Sequence, residues 1–143
     1  MSDHDHHHWG SEIQDELRPL ARELREEIPA VYSAFAALSR AAMADGALDS
    51  ATKELIALGI AVTERCDGCI AAHTRNAARK GISRAAVAEA IGVAILMSGG
   101  PGTVYGPRAL AAYDDFATTA PATTPATAPG TAPGTAPGTA PGS

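Results

Sequence analysis

Between Glu12 and Phe116 the apolar side chains return at intervals of three and four residues, segment after segment, with no convincing run of the two-residue alternation that marks a half-buried strand. That period calls for helices packed on helices. Ile13, Leu17, Leu20 and Leu24 form one stripe within Glu12 to Glu27, with Pro19 placed to kink or divide the segment. Ile28-Pro29 reads as a restart, because proline suits a first helical turn. Val31, Phe35, Leu38 and Ala42 make the next stripe, which Asp45-Gly46 closes. Both stripes are expected to be buried. Asp49 or Ser50 caps a third helix carrying Leu55, Ile56, Leu58 and Ile60, with Glu54 among these apolar neighbours. A fourth helix begins around the cysteines and stops at Lys80-Gly81. Ser83 caps a fifth, which runs through Val87, Ile91 and Ile95 to a break at Gly99-Gly100-Pro101-Gly102, and a sixth spans roughly Tyr105 to Phe116. The expectation is an all-α domain of about six helices.

At 143 residues there is room for one such domain. With two Phe and one Trp in the whole chain, its interior must be built mainly from Ala, Leu, Ile and Val, a composition that favours close-packed helices. The domain is expected over residues 11–117. Residues 1–10, with His4, His6, His7, His8 and Trp9 among Asp and Gly, carry no apolar period and read as a disordered terminus. Residues 118–143 are rich in Ala, Thr, Pro and Gly, with Thr-Ala-Pro-Gly repeated four times between Thr127 and Gly142. Proline at every fourth position bars a helix there, and no large apolar side chain offsets the entropy of ordering.

Charge and targeting signals narrow the function classes. A net charge of −5 speaks against a phosphate-binding surface, so no nucleic-acid partner is expected. The N-terminus lacks a basic segment leading into an apolar run, and Ala85 to Ser98, the most apolar stretch, is interrupted by Glu89 and falls short of a bilayer span of roughly 20 residues. A cytoplasmic protein without membrane contact is the expectation. The two cysteines, two residues apart, do not form the framework of a disulfide-stapled secreted domain.

The chemistry concentrates in Cys66-Asp67-Gly68-Cys69-Ile70-Ala71-Ala72-His73. On a helix, Cys66, Cys69 and His73 stand three and four residues apart on one face. Two thiols at that spacing can close a local disulfide, whose Cα atoms need to be roughly 4.4–6.8 Å apart. A helix N-terminus lowers a thiol's pKa, which favours Cys66 over Cys69 as the more acidic of the two, and Arg65 adds positive potential. His73 exchanges a proton near neutral pH. Glu54 lies on the preceding helix, and antiparallel packing would return it to the Cys-His face as the base of a proton relay. Structural zinc takes four protein ligands where the core supplies Cys66, Cys69 and His73, so neither metal nor cofactor is expected.

Glu54, eleven intervening residues, Cys66-x-x-Cys69-x-x-x-His73 and the helical run from about Leu20 to Phe116 together resemble the alkylhydroperoxidase D and carboxymuconolactone decarboxylase family. The Gly99-Gly100-Pro101 break before an aromatic-containing helix is also similar. The resemblance implies an all-helical fold, assembly into homo-trimers or hexamers, and reduction of a hydroperoxide substrate through the cysteine pair. In the mechanism it implies, Cys69 attacks the peroxide, Cys66 resolves the sulfenic acid into a disulfide, and Glu54 with His73 moves the protons. The implied order gives Cys69 the attack although the helix terminus favours Cys66 as the acid. One position departs: peroxidase members carry a histidine just before the second cysteine, and Gly68 stands there.

The reading is therefore a thiol-dependent peroxidase or disulfide oxidoreductase, regenerated by a dithiol protein, lipoyl-bearing or thioredoxin-like. One alternative is a carboxymuconolactone decarboxylase-like lyase, for which Arg75 and Arg108 are the available carboxylate binders. The other is a non-enzymatic redox sensor or assembly protein.

Overall fold

The computed structural model describes residues 8–119, which form six helices. These are α1 (Ser11–Glu27), α2 (Pro29–Met43), α3 (Ser50–Thr63), α4 (Asp67–Arg79), α5 (Arg84–Ser98) and α6 (Gly100–Thr119), and no strand occurs among the described residues. The expectations for residues 1–7 and 120–143, including His4, His6, His7 and the Thr-Ala-Pro-Gly repeats, lie outside them.

Most of the caps follow the sequence. Asp49 Oδ1 accepts the Thr52 N–H at 2.7 Å at the start of α3, Ser83 Oγ accepts the Ala86 N–H at 3.2 Å at the start of α5, and Pro29 occupies the first turn of α2. At the end of α4 the Ile82 N–H reaches Ala77 O and the Gly81 N–H reaches Ala78 O, with Gly81 at φ +69°. This is the paired-bond stop that a left-handed glycine permits. The end of α3 repeats it without a glycine: Cys66 N–H bonds to Ala61 O and Arg65 N–H to Val62 O, and Arg65 sits at φ +57°.

The core lies among α3, α4, α5 and α6, where Leu58, Val62, Ile70 and Val87 are fully or almost fully buried. Alanines at 61, 77, 78, 94, 109 and 112 fill the remaining contacts and let the helix axes approach. Gly102 shows how closely: a Cβ there would stand 2.9 Å from Ile95 Cα and 2.5 Å from Ser98 Oγ. Tyr113 ties α6 to the turn before α5, its hydroxyl donating to Ile82 O at 2.6 Å. Burial raises the Tyr113 phenol above its ordinary pKa, Asp114 adds to the rise, and Arg84 opposes it.

Four local expectations change. α1 continues through Pro19 as one helix. α6 begins at Gly100, so the break shrinks to Gly99 at φ +65°. Pro101 fits the first turn of α6, because N–H groups there have no intrahelical acceptor. His8–Gly10, expected within the disordered terminus, packs on α6: Trp9 lies against the core, and Asp115 accepts from His8 Nδ1 at 2.9 Å and from the Ser11 N–H and Oγ at 2.8 and 2.6 Å. Asp115 thereby caps α1 from another helix. The largest change concerns the first two stripes. Ile13 is half-buried, but Leu17, Leu20, Leu24, Val31, Phe35 and Leu38 are exposed, and α2 has no buried residue because no helix among the described residues covers its apolar face.

Candidate functional site

α3 and α4 run side by side, linked by the tight turn at Glu64–Cys66, so residues early in α3 come opposite residues late in α4. Glu54 in the second turn of α3 thus meets His73 in the middle of α4, with Oε2 2.8 Å from His73 Nδ1. Glu54 is 4% exposed and His73 28% at the side chain. The carboxylate is sunk in the core and the imidazole bridges it toward the surface. A ring nitrogen held by a carboxylate is fixed in orientation, leaving Nε2 to exchange a proton. Glu54 also forms part of the wall of a polar cleft of about 350 Å³ with Asn76, Arg79 and Lys80.

Cys66 and Cys69 are joined in a disulfide, their Cα atoms 5.2 Å apart. Cys66 is the N-cap of α4, and its Sγ accepts the Cys69 N–H at 3.2 Å. As a thiolate the same sulfur would accept that bond with a full charge, and the helix N-terminus would stabilise it further. Cys69, in the first turn, is the more exposed of the two. The two cysteines thus differ in place: Cys69 faces solvent more, and Cys66 Sγ receives a backbone N–H. His73 lies four residues beyond Cys69, on the same face of α4.

Gly68 has a structural reason. A Cβ there would meet Leu17 Cδ1 at 3.0 Å, so a side chain at this position would have to displace the end of Leu17 on α1. Gln14, also on α1, donates to Ala71 O at 3.1 Å and accepts from Arg75 Nη1 at 2.9 Å, which seals α1 onto α4 beside the cysteines. Of the two arginines considered as carboxylate binders, Arg75 is thus engaged by Gln14. Arg108 lies 4.4 Å from the centroid of Trp9 and 4.7 Å from that of Tyr105, a stacking role rather than a place beside His73. Sequence reasoning passed over Arg18, Arg22 and Arg25, although their three- and four-residue spacing already put them on one face of α1. Among the described residues no group of three or more His, Cys, Asp or Glu is disposed to hold a metal ion, and no helix is long and apolar enough to cross a membrane.

Fold and site together define an all-helical protein with a vicinal cysteine pair at a helix N-terminus, backed by a buried Glu-His hydrogen bond. Residues 29–114 match the model of the carboxymuconolactone decarboxylase family, and the chain belongs to that family. An uncharacterised protein of Cupriavidus necator is 45% identical over 86 residues, covering 60% of this chain and 76% of its own. A second uncharacterised protein, encoded in the cox locus of Paracoccus denitrificans, is 41% identical over 85 residues, or 59% and 77% of the two chains. A crystal structure of an apo carboxymuconolactone decarboxylase family protein from Legionella pneumophila superposes with a TM-score of 0.72 at 37% identity, covering 75% of this chain and 96% of that one.

Proposed function

We propose that the protein is a thiol-dependent peroxidase that reduces hydroperoxides through Cys66 and Cys69, with Glu54 and His73 as its proton relay. The observation that carries this reading is the 2.8 Å Glu54–His73 bond on the helix that bears a disulfide-competent cysteine pair. In the reduced protein, Cys69 attacks the terminal peroxide oxygen, the O–O bond breaks, and the alcohol leaves with a proton delivered through His73. Cys66, its thiolate stabilised by the Cys69 N–H, then attacks the Cys69 sulfenic acid; the leaving hydroxyl takes a proton through His73 and departs as water as the disulfide forms. The greater exposure of Cys69 supports its role as the attacking sulfur, and the capping bond supports Cys66 as the resolving one. A dithiol protein returns the pair to the reduced state.

The active form in this reading is a homo-oligomer. Phe35 is 67% exposed and Leu38 64%, and between α3 and α5 runs an apolar groove of about 550 Å³ lined by Ile56, Ile60, Val93 and Met97. Faces of this kind normally lie against another chain. The reading is tested by following peroxide consumption by the reduced protein with excess dithiol, for the native chain, Cys69→Ser and Cys66→Ser. Many turnovers in the native chain and loss in both variants are expected. One equivalent consumed per chain would make the protein a sensor instead.

A further inference from the structure

Beside the cysteine pair, α1 and α4 enclose a groove of about 790 Å³ whose floor includes Leu17, Gly68 and Ala72. Four arginines line it, Arg18, Arg22, Arg25 and Arg75, in a chain whose net charge is −5. Asp15 is the one acid among the described residues lining it, and it is paired with Arg18 at 3.0 Å. Among the described residues the other three guanidinium groups form no ion pair with a carboxylate: Arg75 is bonded to the neutral Gln14, Arg25 lies over the Tyr32 ring at 5.2 Å, and Arg22 has no side-chain partner. Gly68 sits between the two cysteines, and the Cys69 face of α4 is turned only about 100° from the Gly68 face. A body resting in this groove would therefore lie alongside the disulfide.

We propose that this groove is the docking face for the dithiol protein that reduces Cys66–Cys69, and that this partner carries its thiols among acidic side chains. The proposal rests on the disulfide being a cycling one and adds the chemistry of the partner. Charge complementarity argues for it: a groove lined by four arginines against one carboxylate, next to a solvent-facing disulfide, raises the encounter rate of an anionic dithiol and orients it. The exchange balances. A partner thiolate attacks Cys69 Sγ, the Cys66–Cys69 bond breaks, and its electron pair leaves on Cys66 Sγ, where the Cys69 N–H receives the charge. The partner's second thiolate then attacks its own sulfur in the mixed disulfide and expels Cys69. Two electrons pass to the protein, and the two thiol protons of the partner go to Cys66 and Cys69.

The test uses two synthetic dithiol peptides with the same Cys-x-x-Cys core, one flanked by four glutamates and the other by four lysines, with dithiothreitol as an uncharged reductant. Reduction of the disulfide in the full chain is followed by quenched alkylation of the thiols. At about 0.01 M ionic strength the acidic peptide is expected to react at least roughly tenfold faster than the basic one, and the ratio to fall to about twofold or less at 0.5 M salt. Arg22→Glu, and Arg22→Glu with Arg25→Glu, should abolish or reverse the preference while the dithiothreitol rate and the circular-dichroism spectrum stay unchanged. Equal rates for the two peptides, or a preference that survives both variants, overturns the docking assignment. A groove that favours a carboxylate-bearing hydroperoxide over a neutral one and leaves the peptides equal is a substrate subsite, which also overturns it. Failure of dithiothreitol itself to open the disulfide sinks the cycling reading and takes this inference with it.

Discussion

Glu54→Gln separates relay chemistry from structural support, because the two roles respond to it in opposite ways. An amide keeps the size of the carboxylate and can bond His73 Nδ1 in either tautomer, through its oxygen or its NH2. The 2.8 Å contact therefore survives, and what disappears is the negative charge. On stability the effects are small and opposed. A charge-assisted bond becomes a neutral one, a loss of about 1 kcal/mol, while a carboxylate only 4% exposed no longer has to be desolvated. The net change stays within about 1 kcal/mol, or roughly 4 °C in Tm for a domain of this size. On the reaction the effect is large, since a positioned acid or base contributes about 10²–10⁴ in rate. Glu54→Gln should therefore lose at least about 100-fold in peroxide turnover with a nearly unchanged melting curve. His73→Gln should lose a similar factor, and the double variant little more, because members of one relay are not additive. The assays are steady-state peroxide consumption and thermal melting by circular dichroism. A Glu54→Gln protein that turns over at the native rate, or one whose loss of rate tracks a loss of folded protein, would refute the relay and leave Glu54 a packing residue.

Two further outcomes follow from the backbone and the caps. Arg65→Gly relieves a side chain held at φ +57°, worth about 1–2 kcal/mol, against about 0.4–1 kcal/mol of added unfolded-chain entropy. The net stabilisation, about 0–1.6 kcal/mol, should raise the urea midpoint, and a lower midpoint would mean that Arg65 contributes contacts of its own. Asp115→Asn should cost about 1–2 kcal/mol, because the carboxylate caps α1 from α6. Burial pushes the Asp115 carboxyl up, but the Ser11 side-chain and backbone hydrogen bonds and His8 outweigh it and hold the group below its ordinary value of 3.8. A depressed folded pKa gives stability that is present in full above the unfolded value and is lost as the pH falls through the folded one. The gap between native and Asp115→Asn proteins in urea midpoint should thus be present at pH 5 and close below about pH 3.8. A gap that persists at pH 2 would contradict this assignment.

The helix order, most of the caps and the shared face of Cys66, Cys69 and His73 were legible in the sequence because they depend on local spacing. The period of the apolar residues, Asp49, Pro29, Ser83 and Gly81 act within one turn of chain, and Cys66, Cys69 and His73 share a face of any helix that contains them. The pairing of Glu54 with His73 was also within reach, since a tight turn between consecutive helices leaves few ways to pack them. The stop at Arg65 was less visible, because the usual glycine is missing and the chain accepts strain there instead. The start of α6 is hidden in the sequence because Gly-Gly-Pro-Gly reads as a breaker, whereas a proline in a first helical turn forfeits no bond.

Only the tertiary structure could decide which apolar stripe meets which. An amphipathic period states that a face is to be covered and leaves open by what, so α1 and α2 have the same signature as α4 and yet their leucines and Phe35 stand in solvent in the single chain. For the same reason it alone brought Asp115 to the start of α1, fixed Arg108 against two rings, laid the end of Leu17 against Gly68, and gathered four arginines along one groove between α1 and α4. Those juxtapositions join residues far apart in the chain. Their energies exist only once the backbone has closed, and no local spacing records them.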